Sequence, residues 1–209
     1  MFCRVADHER GYALVARDDG VVYRLDGGPA GAELPHDLVH FTVEDALGMP
    51  DGIWGAIAGG AVFRSMTHVS GRRPPHAADR SAELIRVHRP SLQRAELIGG
   101  FVERIAEASA GASRGLGDAD LHKAMRESFA TQPDLVLDVR GVRRAVYSLL
   151  AAAERWRGVA VGGQLTCHWP GYRRLVPPMA ARNRRNRRGR VTPSETPSEA
   201  PREATTSGK

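Results

Sequence analysis

Apolar and polar positions alternate along the first thirty residues. Tyr12–Ala16 and Val21–Leu25 are β-prone runs that flank Asp18-Asp19-Gly20. Asp-Gly between such runs predicts a hairpin, because glycine takes the positive φ of the turn, and Gly27-Gly28-Pro29 ends the second strand. From Pro35 the period becomes helical. A first helix is expected over His36–Leu47, with Pro35 as its opening residue and Gly48-Met49-Pro50 as its stop. Asp51 is placed to cap a short second helix within 52–63, in which Gly55 and Gly59 leave room for another backbone.

Further helical patterns run from Ala77 to His88, from Ser91 to Ala108 with Leu97, Ile98, Phe101, Val102 and Ile105 apolar, from Asp118 or Asp120 to Ala130, and from Asp138 to Trp156. The last has the clearest stripe, Val139, Val142, Val146, Leu149, Leu150, Ala153 and Trp156, against an arginine-rich opposite face. In Gln164–Trp169, Leu165, Cys167 and Trp169 alternate with polar residues, which predicts a late strand. The expected fold class is α+β: an N-terminal β-hairpin, a mainly helical middle and a late C-terminal strand, with that strand and the hairpin in one small sheet.

Past Val176 the apolar period stops. Residues 1–178 are expected to form a single globular domain. Residues 179–209, arginine-rich and then rich in Pro, Ser, Thr and Glu, are expected to be a disordered tail. Charge follows the same division. The chain carries a formal net charge of +6, yet Ala181–Lys209 alone holds eight basic and three acidic residues, leaving 22 basic and 21 acidic residues in the body. Arg182, Arg184, Arg185, Arg187, Arg188 and Arg190 are therefore the candidate nucleic-acid contacts, of a weak, non-specific and salt-dependent kind. Only two of the 30 basic residues are lysines, Lys123 and Lys209, so arginine content reflects a coding bias as much as a partner.

Two cysteines, Cys3 and Cys167, make no disulfide framework, and no uncharged apolar run approaches the ~18–20 residues of a membrane span. A cytoplasmic location is expected, with no membrane partner; oligomeric state is open. Gly111-Ala112-Ser113-Arg114-Gly115 has the letters of a nucleophile elbow, but a helix precedes it where a strand is needed, so Ser113 reads as linker. Arg72, Arg73, His76 and Arg80 are a candidate anion-binding loop, or a solvated linker.

One segment carries chemistry: Leu34-Pro35-His36-Asp37-Leu38-Val39-His40-Phe41-Thr42-Val43-Glu44. Histidines four apart on a helix share a face one turn apart, the geometry in which two imidazoles bind one zinc ion. His-Asp-x-x-His resembles the His-Glu-x-x-His motif of zincin metallohydrolases. That resemblance implies His36 and His40 as metal ligands, Zn as cofactor and Asp37 as catalytic base, with a side chain one methylene shorter than glutamate. A third ligand must come from elsewhere. Glu44 lies about 12 Å along the axis from His36, and His68, His76, Asp79 and Glu83 are downstream candidates. On a helical wheel His36 falls on the apolar stripe and His40 at its edge.

LPHDLVHFTVEDALGMPDGIWGAIAGGAVF and the later WRGVAVGGQLTCHWP also resemble a family of uncharacterised proteins from high-GC Gram-positive bacteria, over most of residues 1–172. This resemblance implies a bacterial cytoplasmic protein and no particular activity. Two function classes follow: a divalent-metal site, hydrolytic if Asp37 serves as base, or a non-catalytic binding or scaffolding domain whose histidines are core.

Overall fold

The computed structural model describes residues 1–6, 9–29, 34–110, 117–132 and 134–175. They belong to one compact unit, Met1–Pro178, and the fold is α+β. Its elements in order are β1 (Phe2–Cys3), β2 (Arg10–Ala16), β3 (Val22–Pro29), α1 (His36–Leu47), α2 (Ile53–Gly59), β4 (Met66–Ser70), α3 (Ala77–Val87), α4 (Arg89–Ser109), α5 (Asp118–Ser128), α6 (Val139–Arg157) and β5 (Gln164–Leu165).

The sheet has strand order β4-β3-β2-β1-β5, and its pairs are antiparallel. β2 and β3 are the expected hairpin. Its turn closes with Gly20 N–H donating to the Arg17 carbonyl at 2.9 Å and Gly20 at φ 76°. Two strands were not legible beforehand: β1 is two residues long, and β4 is exposed at every position but Met66. The late strand is shorter than its pattern. Only Gln164 and Leu165 pair, and they reach the sheet through β1 rather than through the hairpin. Cys167 and Trp169 still pack on the core without belonging to a ladder.

α1 is the central element because it is buried on two sides. Val39 and Val43 face a helical cluster formed with Ile98, Phe101 and Val102 of α4 and Val142, Val146 and Leu149 of α6. Leu38 and Phe41 face a second cluster with Phe2, Ala13, Tyr23 and Leu25 of the sheet, Trp54 of α2 and Trp156 of α6. A helix enclosed in this way has no single apolar stripe, so a wheel centred on one stripe misplaces its residues.

Helix ends show where side chains replaced the expected devices. Pro35 is the N-cap of α1, one position earlier than expected, and its carbonyl accepts from Leu38 N–H and Val39 N–H at 2.8 and 3.0 Å. α4 begins at Arg89 with Pro90 in its first turn, so Ser91 is not its cap, and Leu97 is exposed. Asp138 caps α6, accepting from Gly141 N–H at 2.9 Å. Asp51 does not cap α2. The buried carboxylate of Glu44, reaching over from α1, accepts from Ile53 N–H and Trp54 N–H at 2.9 Å each. Gly52 is required there, because a Cβ would fall on that carboxylate. The glycine face of α2 is taken up within the chain. Gly55 meets the Pro50 carbonyl and Gly59 the Leu175 carbonyl, and Leu175 N–H donates to the Gly55 carbonyl at 3.0 Å.

Glu44→Ala should strand two backbone donors at the start of α2 and lower stability by about 2 kcal/mol or more. Asp51→Ala should stay within about 0.5 kcal/mol of the parent. Denaturant unfolding of the two variants checks both values, and equal effects would refute the capping role.

Candidate metal centre

His36 and His40 stand on successive turns of α1, and α4 crosses beside them. The approach is close because Gly99 of α4 has no side chain: a Cβ there would lie 2.9 Å from Cε1 of His40. Three residues earlier on the same face, one turn of helix away, Glu96 extends its carboxylate toward both imidazoles. The three donor atoms converge. Nε2 of His40 lies 3.2 Å from Nε2 of His36 and 3.1 Å from Oε2 of Glu96. Nε2 of His36 lies 3.7 Å from the same oxygen. The rings are nearly perpendicular, with centroids 4.6 Å apart.

These spacings match a coordination set. Ligands held about 2.0–2.1 Å from a tetrahedral zinc ion lie about 3.3–3.4 Å from one another. Among the described residues, His36, His40 and Glu96 are the His, Cys, Asp or Glu group whose donor atoms lie close enough to hold one ion.

Burial grades across the site, and it reverses the wheel. His40 is buried, with a side chain 4% exposed, whereas the His36 and Glu96 side chains are 60% and 53% exposed. His36 is exposed because it begins the helix at its open end; His40 sits in mid-helix, against the glycine of α4. Behind His40, Oε1 of Glu44 lies 3.5 Å from Nδ1, an ion-pair distance, and Nδ1 has no hydrogen-bond partner. Glu44 is therefore no ligand. It stands where a carboxylate orients a metal-binding histidine through the nitrogen that does not coordinate.

The electrostatics follow from this placement. Burial opposes charge on His40, but the Glu44 and Glu96 carboxylates outweigh it and raise the imidazole pKa to about 9. Glu96 also raises His36, while burial works against it. In return His36, then His40, hold the Glu96 carboxyl far below the usual range. Burial raises Glu44, against the pull of His40 and the two amide donors.

The other candidates lie apart. The Asp37 carboxylate is turned to β3, with Oδ2 3.2 Å from the position of a Cβ on Gly27, and burial raises its pKa. It is not one of the converging donors. His68 bonds the Gly71 carbonyl at 2.9 Å and stacks edge-on with Tyr23. His76 pairs with Asp79 at 3.8 Å, and Glu83 pairs with Arg86. Glu96 was missed because it lies 56 residues beyond His40; the Gly99-Gly100 pair within an otherwise strong helix is the only sign of it in the sequence. Ser113 and Arg182, Arg184, Arg185, Arg187, Arg188 and Arg190 fall outside the described residues. Cys3 and Cys167 are free thiols. Among the described residues no helix is long and apolar enough to cross a membrane.

Stability should depend on pH in opposite senses with and without a metal. Without one, Glu96, depressed on folding, contributes stability that is lost as pH falls below its unfolded value of 4.5. His40, raised on folding, contributes stability present below 6.5 and lost as pH rises through about 9, a change of about 3 kcal/mol. The metal-free melting temperature should therefore fall between pH 6.5 and 9. With saturating zinc it should hold or rise over that window, because coordination requires deprotonated imidazoles. Thermal melts across pH, with chelator and with zinc, check the sign.

No family model matches this chain, and no curated protein or solved structure matches it either.

Proposed function

We propose that this protein binds a single divalent transition metal, Zn²⁺ by the chemistry of its donors, through Nε2 of His36, Nε2 of His40 and a carboxylate oxygen of Glu96. The observation that carries this reading is the convergence of three lone-pair donors on one point. Their mutual distances of 3.1, 3.2 and 3.7 Å are those of ligands around one ion, and in the neutral tautomer protonated at Nδ1 the Nε2 of His40 would present its lone pair to that point.

Two histidines and one glutamate leave the fourth tetrahedral position free, as in catalytic rather than structural zinc sites. The exposed flank of the centre suits that position to water or a ligand. Glu96 also borders an open groove of about 670 Å³ with Gln93, Arg94, Leu97, Gln132 and Leu135, which would give a ligand access. Hydrolysis by a metal-activated water is the activity this donor set supports best. Asp37 could serve as its base only by swinging away from Gly27. The bacterial, cytoplasmic setting and weak nucleic-acid contact through the arginine run belong to the same proposal.

One observation favours a second reading. With its pKa at about 9, His40 is an imidazolium at neutral pH in the metal-free state, and an imidazolium flanked by Glu44 and Glu96 would serve as a structural ion pair in a non-catalytic domain.

Metal analysis of untagged protein separates the two. The metal reading expects close to one zinc per chain, lost in His36→Ala/His40→Ala. Glu96→Gln should weaken zinc binding at least tenfold, and Gly99→Ala should weaken it through displacement of the His40 ring. Asp37→Asn should leave metal content unchanged. Folded protein that neither carries zinc nor gains stability from it leaves the ion pair as the role of these residues.

A further inference from the structure

Charge is segregated on the solvent side of α6. Arg140, Arg144, Tyr147, Ala151 and Arg155 are all exposed, and at 3.6 residues per turn they fall within an arc of about 80°. They form one row about 22 Å long, opposite the stripe of Val142, Val146 and Leu149 that meets the core.

The row holds three arginines and no acid, and its charges are uncompensated. Among the described residues Arg140 and Arg155 make no hydrogen bond or ion pair within the chain, and Arg144 engages only Nε, which donates to the Ala46 carbonyl at 3.0 Å. The acids nearby are already engaged. Asp118 pairs with Arg143 and Asp45 with Arg173, Asp138 caps the helix, and Glu154 holds Arg157 through both oxygens. The body as a whole balances 22 basic against 21 acidic residues. A coding bias toward arginine therefore explains how many arginines the chain carries, but not a row from which acids are missing.

Shape and ring chemistry narrow the partner. Arg140, Arg143, Arg144, Tyr147, Ser148 and Ala151 line a shallow, open hollow of about 520 Å³. Tyr147 is 52% exposed and stands between the arginines of the row. Arginines beside an exposed aromatic ring suit a single strand of nucleic acid: the cations take phosphates, and the ring stacks on a base whatever its identity. A duplex keeps its bases stacked on one another and gives the ring no role. An anionic bilayer favours Trp, Phe or Leu on the buried side of a helix, whereas the neighbours of Tyr147 on this face are serine, alanine and arginine.

We infer that the exposed face of α6 is a docking surface for single-stranded nucleic acid, bound without sequence preference, with Arg140, Arg144 and Arg155 on phosphates and Tyr147 stacked on a base. Its residues are distinct from the arginine run Arg182–Arg190, and it does not depend on a metal at His36, His40 and Glu96.

The probe is a fluorescent oligothymidylate, followed by anisotropy. It is titrated into the full chain with Arg182, Arg184, Arg185, Arg187, Arg188 and Arg190 each changed to Ser, so that the run cannot mask a loss on α6. Chelator is present throughout, so that no metal holds a phosphate. Arg140→Gln/Arg155→Gln should weaken binding at least tenfold and reduce the slope of log K against log salt by about 0.7 for each arginine. Tyr147→Ala should weaken binding at least fivefold and leave the slope unchanged, and Tyr147→Phe should bind like the parent. Arg80→Gln, which alters an exposed arginine of α3, should also bind like the parent. Arg140 and Arg155 are exposed and unbonded, so their double variant should keep the parent melting temperature, which separates lost binding from lost folding. The inference is overturned by absence of binding once the run is replaced, by α6 variants that bind like the parent, or by an equal loss in Arg80→Gln. Tyr147→Ala without effect, a duplex of the same length bound more tightly than the single strand, or retention on phosphatidylserine vesicles in place of the oligonucleotide would overturn it as well.

Discussion

The carboxylate of Glu44 is the interaction on which the rest of this architecture turns. A carboxyl group that is 1% exposed is tolerated only with several partners, and each partner fixes something else. Two are the amides that open α2, so the short glycine-containing helix starts where Glu44 stands. With its start fixed, α2 sends Trp54 into the sheet-side cluster, where Trp54 Nε1–H donates to the Asp37 carbonyl at 3.0 Å and ties α2 back to the first turn of α1. The third partner is His40, held on its Nδ1 side so that Nε2 faces α4. One buried acid thus couples helix start, helix packing and imidazole orientation.

The same acid bears on the proposed metal. Glu44 and Glu96 stand at opposite edges of one imidazole and both favour its charged form. A proton and the proposed divalent cation would compete for the same Nε2, so the pKa of His40 and the metal affinity should move against one another.

Much of the fold could be read from residue order because it rests on local rules: Asp19-Gly20 for the hairpin, Asp138 for the start of α6, Gly48 for the end of α1. α6 was the most legible element, since its one buried stripe meets one cluster. Elements whose existence depends on a distant partner were not legible. β1 and β5 are two residues each and are strands only because β1 pairs with β2 on one side and with β5 on the other. β4 has almost no buried face and is a strand because β3 offers it an edge. The α2 cap is the sharpest case. Asp51 was the local answer, and a carboxylate seven residues earlier in sequence, on another helix, took its place. The site divides in the same way. His36 and His40 are visible through their spacing, while Glu96 and the roles of Gly99 and Glu44 exist only once α4 lies against α1.

The asymmetry between the two histidines bears on what the centre can do. His40 is buried, with Gly99 across from it and Glu44 behind it, so its ring has little freedom to move. His36 and Glu96 are more than half exposed and reach the convergence point from two different helices. A metal held in this way would have one buried ligand and two on the solvent side, so that a further ligand would reach it from the exposed side. A purely structural site closes all four positions and gains from burying every ligand. An arrangement that buries one ligand and leaves the others at the surface retains access at some cost in affinity, which is the compromise that ligand exchange at a metal requires.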